Sequence, residues 1–486
     1  MANQLTPQKI RNIGVYGVVR QAEVDDVLVP EGAVTEAVNF HFDRKGVATV
    51  RPGITALGGT VQAGVPCIGL FNAQNSTILA SFNGGGSSSI FMYNGVTYDK
   101  TLGGGTSSVK VRFVDFANRT ILPNFIGNTL TSMYVWNGSG SAGWTYTGNP
   151  INPQQMWGYN PQFIEVYKSR IYLAGDTSYP SRLLFSAVIS SSGNLSWNPT
   201  TDWVDINPGD GEDCTGLKRY SLELLFFKPN YIYRFKTSGV DPDPLIKIGT
   251  RSQESVVEGK KGLYFHHDTG FYVYTGNYPT EISRPISDIV SAIPYSKFSS
   301  IVSWNDSDHI YWSVGNLTIT DVNTSSTWTN VVLRYTESSE VWTVYSFSNE
   351  PKRGSNFNNG STLSRVIGTD NGLVSTFNSG TTDMGEPIKY RLITKWYEVE
   401  GISTKKSITK LVAIAEKSQE TELMYQIDDI PEWYTILQLR KYMTYFNGQS
   451  KTFHRIRFKV TGVSRVESAV FQGIEILNGI NEGIVE

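Results

Sequence analysis

The chain has 486 residues and a formal net charge of −2, from 42 basic and 44 acidic side chains, so no basic excess marks it as a general nucleic-acid binder. It is 40% hydrophobic, and its 26 Tyr, 23 Phe, 11 Trp and 46 Gly indicate all-β structure, because aromatic residues suit pleated surfaces while Gly supplies turns. Two distant cysteines, Cys67 and Cys214, exclude a disulfide framework and a cysteine-based zinc site, and read as small buried thiols in a reducing compartment.

The first 60 residues carry no repeat. Met1-Ala2-Asn3-Gln4-Leu5-Thr6 lacks the charged start and apolar core of a signal peptide, and no run approaches ~18 apolar residues, so the product is expected to be made soluble in the cytoplasm without a membrane span. Segments 14–19 and 24–30 read as extended arm, and Glu31 to Val38 as a short helix after Pro30. Asn39-Phe40-His41-Phe42 and Val47-Ala48-Thr49-Val50 flank the turn Asp43-Arg44-Lys45-Gly46, and Arg51-Pro52-Gly53 stops the second strand. One strand of this region is expected to complete a ring of blades, since closure removes exposed sheet edges.

Seven two-strand units follow, starting at Ile78, Thr120, Ile171, Leu224, Leu263, Ile310 and Arg365. Each pairs two apolar runs across a turn, as in Leu263-Tyr264-Phe265 with Phe271-Tyr272-Val273-Tyr274. Their starts lie roughly 40 to 55 residues apart, the period of propeller blades. Several units carry a preceding strand (Cys67-Ile68-Gly69-Leu70-Phe71, Val111-Arg112-Phe113-Val114) or a following aromatic one (Trp144-Thr145-Tyr146), which is blade anatomy. The uneven spacing leaves six blades with one stray hairpin open. Ser/Asn/Gly-rich inserts at 187–202 and 315–330 read as loops from one face of the disc, and 286–293 as a helical turn or two. From residue 386 the strands lengthen, and Ile456-Arg457-Phe458-Lys459-Val460 alternates as a strand with one buried face does. The chain therefore divides into an N-terminal arm and hairpin (1–60), a β-propeller (61–385) and a β-sandwich domain (386–486).

Few groups resemble a reactive site. His266-His267-Asp268 sits in a hairpin turn where successive side chains diverge, whereas a metal needs convergent ligands. Asp210-Gly211-Glu212-Asp213 has the carboxylates for a cation but not the spacing of an EF-hand, leaving a site in 207–216 open. Gly84-Gly85-Gly86 and Gly103-Gly104-Gly105 precede serines rather than a Gly-Lys-Ser/Thr cradle, and read as surface turns. No nucleophile elbow appears, so no catalytic, cofactor-binding or metal-ligating residue is assigned. Lys405, Lys406, Lys410, Arg440, Lys441, Lys451, Arg455 and Arg457 are matched by nearby acids and read as a solvated or subunit-facing surface.

The order of segments resembles the tail hub or nozzle proteins of short-tailed bacteriophages, also called phage stabilisation proteins. The resemblance rests on Asn39-Phe40 leading to Arg51-Pro52-Gly53-Ile54, and on Gly216-Leu217 before Leu224-Leu225-Phe226-Phe227 and Tyr231-Ile232-Tyr233-Arg234-Phe235. It continues through Glu258-Gly259-Lys260-Lys261-Gly262-Leu263-Tyr264, Phe453-His454-Arg455-Ile456-Arg457-Phe458-Lys459 and Phe471-Gln472-Gly473-Ile474-Glu475-Ile476. It implies a structural virion protein, not an enzyme, located in the tail. Six copies would form a homo-oligomeric ring below the portal and its tail adaptor protein. That ring would close the DNA channel until ejection, touch genomic DNA non-specifically in the lumen, and dock a fibre, spike or needle. Two alternatives stay open at this point: a carbohydrate-binding or depolymerising propeller, suggested by the supply of Trp and Tyr, and a monomeric propeller scaffold.

Overall fold

The computed structural model describes the chain except residues 1–2, 22–27, 44, 85–86, 107–109, 124–132, 139–143, 147–160, 189–194, 199, 236–242, 322–323, 400, 417–419, 429, 441 and 485–486. All seven apolar hairpins form as the second and third strands of antiparallel blades, as their alternation of buried aliphatic and aromatic residues requires. Blade 1 opens with Cys67–Ala73 and closes with Tyr98–Thr106. Blades 2 to 6 open with Val114–Phe116, Phe163–Tyr167, Gly216–Tyr220, Val257–Glu258 and Val302–Asn305. Blade 7 has Pro351–Asn358, Leu363–Thr369 and Val374–Phe377, and takes its fourth strand, Ile54–Ala56, from the N-terminal region. The closing strand begins right after Arg51-Pro52-Gly53, and the hairpin before that stop belongs elsewhere.

The propeller is held by an apolar core at each blade junction. Leu79 and Ile90 meet Leu122 and Trp136 between blades 1 and 2, and Phe227 meets Phe265 between blades 4 and 5 at 5.8 Å between ring centroids. Cys67, Ile78 and Phe82 pack on Phe357, Val366 and Val374 where blade 7 returns to blade 1. That last contact makes the ring continuous. It buries both faces of every blade, and each large core side chain so buried contributes about 1.5–3 kcal/mol.

The 315–330 insert is not a loop. Blade 6 carries two 13-residue strands, His309–Asp321 and Thr324–Thr336, bulged at Gly315, whose φ is +80°. Its far end buries Leu317, Ile319 and Trp328 in the core shared with the sandwich. Polar composition suggested a loop, but the Thr/Ile/Trp alternation buries one face. Part of the 187–202 insert lies outside the described residues; Trp197 within it is buried between blades 2 and 3.

The sandwich pairs two antiparallel sheets. One runs Tyr442–Asn447, Thr404–Glu416, Val470–Ile484, Ala48–Val50 and Phe40–Phe42 in that order. The other runs Ala33–Val38, Glu386–Thr394, Ile456–Ser464, Thr421–Ile427 and Tyr434–Leu439. The described residues of the first 60 thus form no arm: Asn3–Gln4, Gln8–Arg11, Ala33–Val38 and the strands Phe40–Phe42 and Ala48–Val50 belong to the sandwich, and 24–27 of the expected arm lie outside the described residues. The helix expected over 31–38 is instead Ala33–Val38, a strand buried along its whole length. It lies parallel to Val341–Ser346 of blade 6 on one side and antiparallel to Glu386–Thr394 on the other, so sheet pairing overrides local helix signals. The expected helical turn is present as Ser287–Ser291.

Candidate functional site: the propeller axis

Stacking the first strand of every blade around one axis brings together residues far apart in sequence. Those strands and the turns leading into them line an open cavity of about 430 Å³, bordered by all seven blades, including Phe71, Arg112, Glu165, Lys218, Glu254, Ser303 and Arg353. Hydrogen bonds between neighbouring blades surround it. Arg112 Nη1 donates to the Gln162 carbonyl at 2.6 Å, Gln253 Nε2 to the Leu217 carbonyl at 2.8 Å, Ser303 Oγ to the Glu254 carbonyl at 2.8 Å, and Arg353 Nε to the Ile68 carbonyl at 3.0 Å.

Glu254 is the centre of this ring. Arg112 Nε donates to its Oε1 at 2.8 Å, and Lys110 Nζ to its Oε2 at 2.9 Å. The Glu254 and Arg112 side chains are only 10% and 13% exposed, so bulk water screens them weakly. Burial alone would raise the Glu254 carboxyl, but Arg112, Lys110 and Arg353 override it and hold it well below the usual carboxylate range. Burial depresses the Lys110 ammonium, and Arg353 and Arg112 add to that against the pull of Glu254. Three cations therefore share one carboxylate. Sequence reading singled out none of this cluster as a site, although Val111-Arg112-Phe113-Val114 was recognisable as a strand. A charge between apolar residues there was the available signal.

The acidic loop that sequence did single out is occupied by a structural partner. Lys228 Nζ, fully buried, donates to both oxygens of Asp210 at 2.7 and 2.8 Å, to Ser181 Oγ at 3.0 Å and to the Asn207 carbonyl at 3.1 Å. The ammonium thus sits where the acidic loop left room for a cation. Glu212 receives the Asn230 amide at 2.9 Å. His266 and His267 end a strand, Leu263–His267, and their side chains do not converge. His266 packs edge-on to Phe271 and Phe298 with centroids 5.0 and 4.7 Å away, while Asp268 takes Arg251 at 2.7 Å. Among the described residues no group of three or more His, Cys, Asp or Glu is arranged to hold a metal. Gly103 and Gly105 lie in a strand paired with Ser89 and Ser88, not in a turn. Cys67 and Cys214 are free and buried, and burial pushes both thiols up to about 12.

Of the basic residues singled out in the sandwich, Lys441 lies outside the described residues and two lie inside the domain. Lys406 and Arg457 are buried: Lys406 donates to the Gly401 and His454 carbonyls, and Arg457 lies 4.6 Å from the Trp396 ring and donates to Gln426 Oε1 at 2.8 Å. They are not surface residues. The surface feature of this domain is the strand Tyr442–Asn447, which sequence reading missed. It is the end strand of its sheet, contains no charged residue, and exposes Tyr442, Met443 and Tyr445 by 61%, 56% and 54%.

No protein-family model and no curated protein matches the chain. The chain is also similar to solved structures at low sequence identity. The extracellular domain of a putative hybrid two-component system from B. thetaiotaomicron aligns at 10% identity and a TM-score of 0.41, over 67% of this chain and 40% of that one. The chain thus spans well under half of that protein's length. The Neurospora crassa Pan2 WD40 domain aligns at 10% identity and a TM-score of 0.39, over 68% of this chain and 95% of its own. The CNH domain of AfRom2 aligns at 6% identity and a TM-score of 0.39, over 66% and 98%. These likenesses concern the fold alone. Among the described residues no helix is long and apolar enough to cross a membrane.

Proposed function

We propose that this chain is a structural subunit of a tail nozzle or hub ring of a short-tailed bacteriophage, made in the host cytoplasm and incorporated into the virion. The observation that carries the reading is the open sandwich edge. An uncharged, aromatic strand at the end of its sheet invites pairing with another chain, and soluble proteins normally blunt such edges with Lys, Pro or a bulge. Tyr442–Asn447 has none of these. A second copy, added by β-augmentation and by burial of Met443 and Tyr445, is the proposed occupant, and repetition around an axis closes a ring.

Two of the motifs behind the resemblance support the same reading, because they fix joints between distant parts of the chain. Arg51 connects sandwich and propeller, and the Gly259-Lys260-Lys261-Gly262 turn wraps the buried carboxylate of Glu337. Because charged side chains meet across the propeller's own axis, the DNA path in this reading is the centre of the ring, with six copies around it. The adaptor above and a fibre, spike or needle below would dock on the disc faces.

Negative-stain electron microscopy and sedimentation of the purified protein at high concentration test the proposal. Six-fold rings are expected, and Tyr445→Lys combined with Met443→Lys is expected to leave monomers with an unchanged melting temperature. A wild-type chain that stays monomeric at every concentration, or rings that survive the double substitution, would sink the idea.

A further inference from the structure

We infer that the axial cavity of the propeller is a binding site for a compact dianion, a molecule carrying a phosphate or dicarboxylate group. The first warrant is charge. Lys110, Arg112 and Arg353 surround the single carboxylate of Glu254, leaving two positive charges uncompensated inside the ring. Like charges held close in a poorly screened site repel unless a counter-charge joins them. The other charges on the wall balance in number, Asp115 and Glu165 against Lys218 and Arg219, so that excess stands. Asp115 accepts from Thr120 Oγ1 at 2.6 Å, and Glu165 accepts the Arg219 amide at 3.2 Å and faces Lys218 at 3.8 Å.

The second warrant is a guanidinium with donors to spare. Arg353 spends Nε on the Ile68 carbonyl and Nη1 on the Lys352 carbonyl, and among the described residues it forms no ion pair. It lines the cavity directly. A planar guanidinium so placed suits a phosphate or carboxylate oxygen. The third warrant is shape. About 430 Å³ is enough for a small molecule, and all seven blades contribute to the wall, so the site is pre-formed by the fold and costs little ordering to occupy. This inference is independent of the tail-ring reading: a monomer would bind the anion equally well.

Isothermal titration calorimetry on the full chain at low ionic strength, with inorganic phosphate and with malonate as probes, tests it. One site per chain is expected for at least one probe. Phosphate alone would identify a phosphate-bearing ligand, malonate alone a dicarboxylate, and both a general dianion site. Arg353→Gln is expected to weaken binding by about tenfold or more, the consequence of losing one charge-assisted contact. Should that variant fail to fold, thermal melting of the wild type decides. The melting temperature is expected to rise with phosphate or malonate but not with sodium chloride at matched ionic strength. No heat with either probe, no difference in melting between these anions and chloride, or undiminished binding by folded Arg353→Gln would overturn the assignment.

Discussion

Arg51 is the residue on which the two bodies of the chain meet. Its guanidinium reaches Asn39 Oδ1 at 2.8 Å, the Ser346 carbonyl at 2.9 Å and both oxygens of Asp383, while its face lies 4.1 Å from the Phe347 ring. It is 1% exposed, so its ionic partner cannot be replaced by water. Arg51→Met should therefore destabilise the fold by about 3–5 kcal/mol, the cost of an orphaned buried charge at Asp383, with Asp383→Asn alone costing a similar amount. Urea denaturation of both variants checks this. His266 makes a second residue-scale prediction. Among the described residues neither ring nitrogen has a hydrogen-bond partner, and burial pushes its protonation down to about 3. The unfolded chain takes up this proton near pH 6.5 and the folded chain only near 3, so the unfolded state binds more protons in that window. Stability is then fully present above about pH 6.5 and falls as pH drops towards 3, by up to about 1.4 kcal/mol per pH unit from this group. His266→Phe, which keeps the aromatic packing, should flatten that slope in pH-dependent unfolding curves.

The closing strand of blade 7 is the element on which ring integrity turns. Ile54–Ala56 pairs with Val374–Phe377, and Ile54 is buried between blades 6 and 7. Gly53 just before it passes so close to Thr382 that an added Cβ would lie 1.9 Å from the Thr382 carbonyl oxygen. Gly53→Ala must displace that backbone. Native-state hydrogen exchange should then show the amides of Ser375, Thr376 and Phe377 losing protection while those of blade 3 keep theirs. Equal protection in both forms would show that the strand tolerates the shift. The motif Arg51-Pro52-Gly53-Ile54 was legible in the sequence as a strand stop. Its deeper use was not, because the partners Ser346, Thr382 and Asp383 lie about 300 residues away in the chain.

At the scale of the whole molecule, propeller and sandwich are built into one another. Ala33–Val38 lies between the outer strand of blade 6 and the sandwich strand Glu386–Thr394, and the blade 6 hairpin extends into the sandwich core. Heat denaturation of the full chain should accordingly show one cooperative transition rather than two. Removing residues 1–60 should do more than trim an arm. It deletes strands from both sandwich sheets and opens blade 7, so the remainder should lose the near-ultraviolet signal of the buried tryptophans Trp312, Trp342 and Trp396. A truncated chain that melts like the parent would contradict the pairing described above.

The sequence by itself determined the all-β class, the seven blade hairpins and the long strands of the sandwich. These depend on alternation of apolar and polar residues over a few positions, a local property that burial on one face imposes directly. Only the tertiary structure decided where the first 60 residues go, why the 315–330 segment is a hairpin, and which charges meet at the axis. Those outcomes depend on pairing between distant strands. Glu254 and Arg112 are each unremarkable in their own segments, and they become a charged ring only when closure of the propeller brings seven first strands around one line.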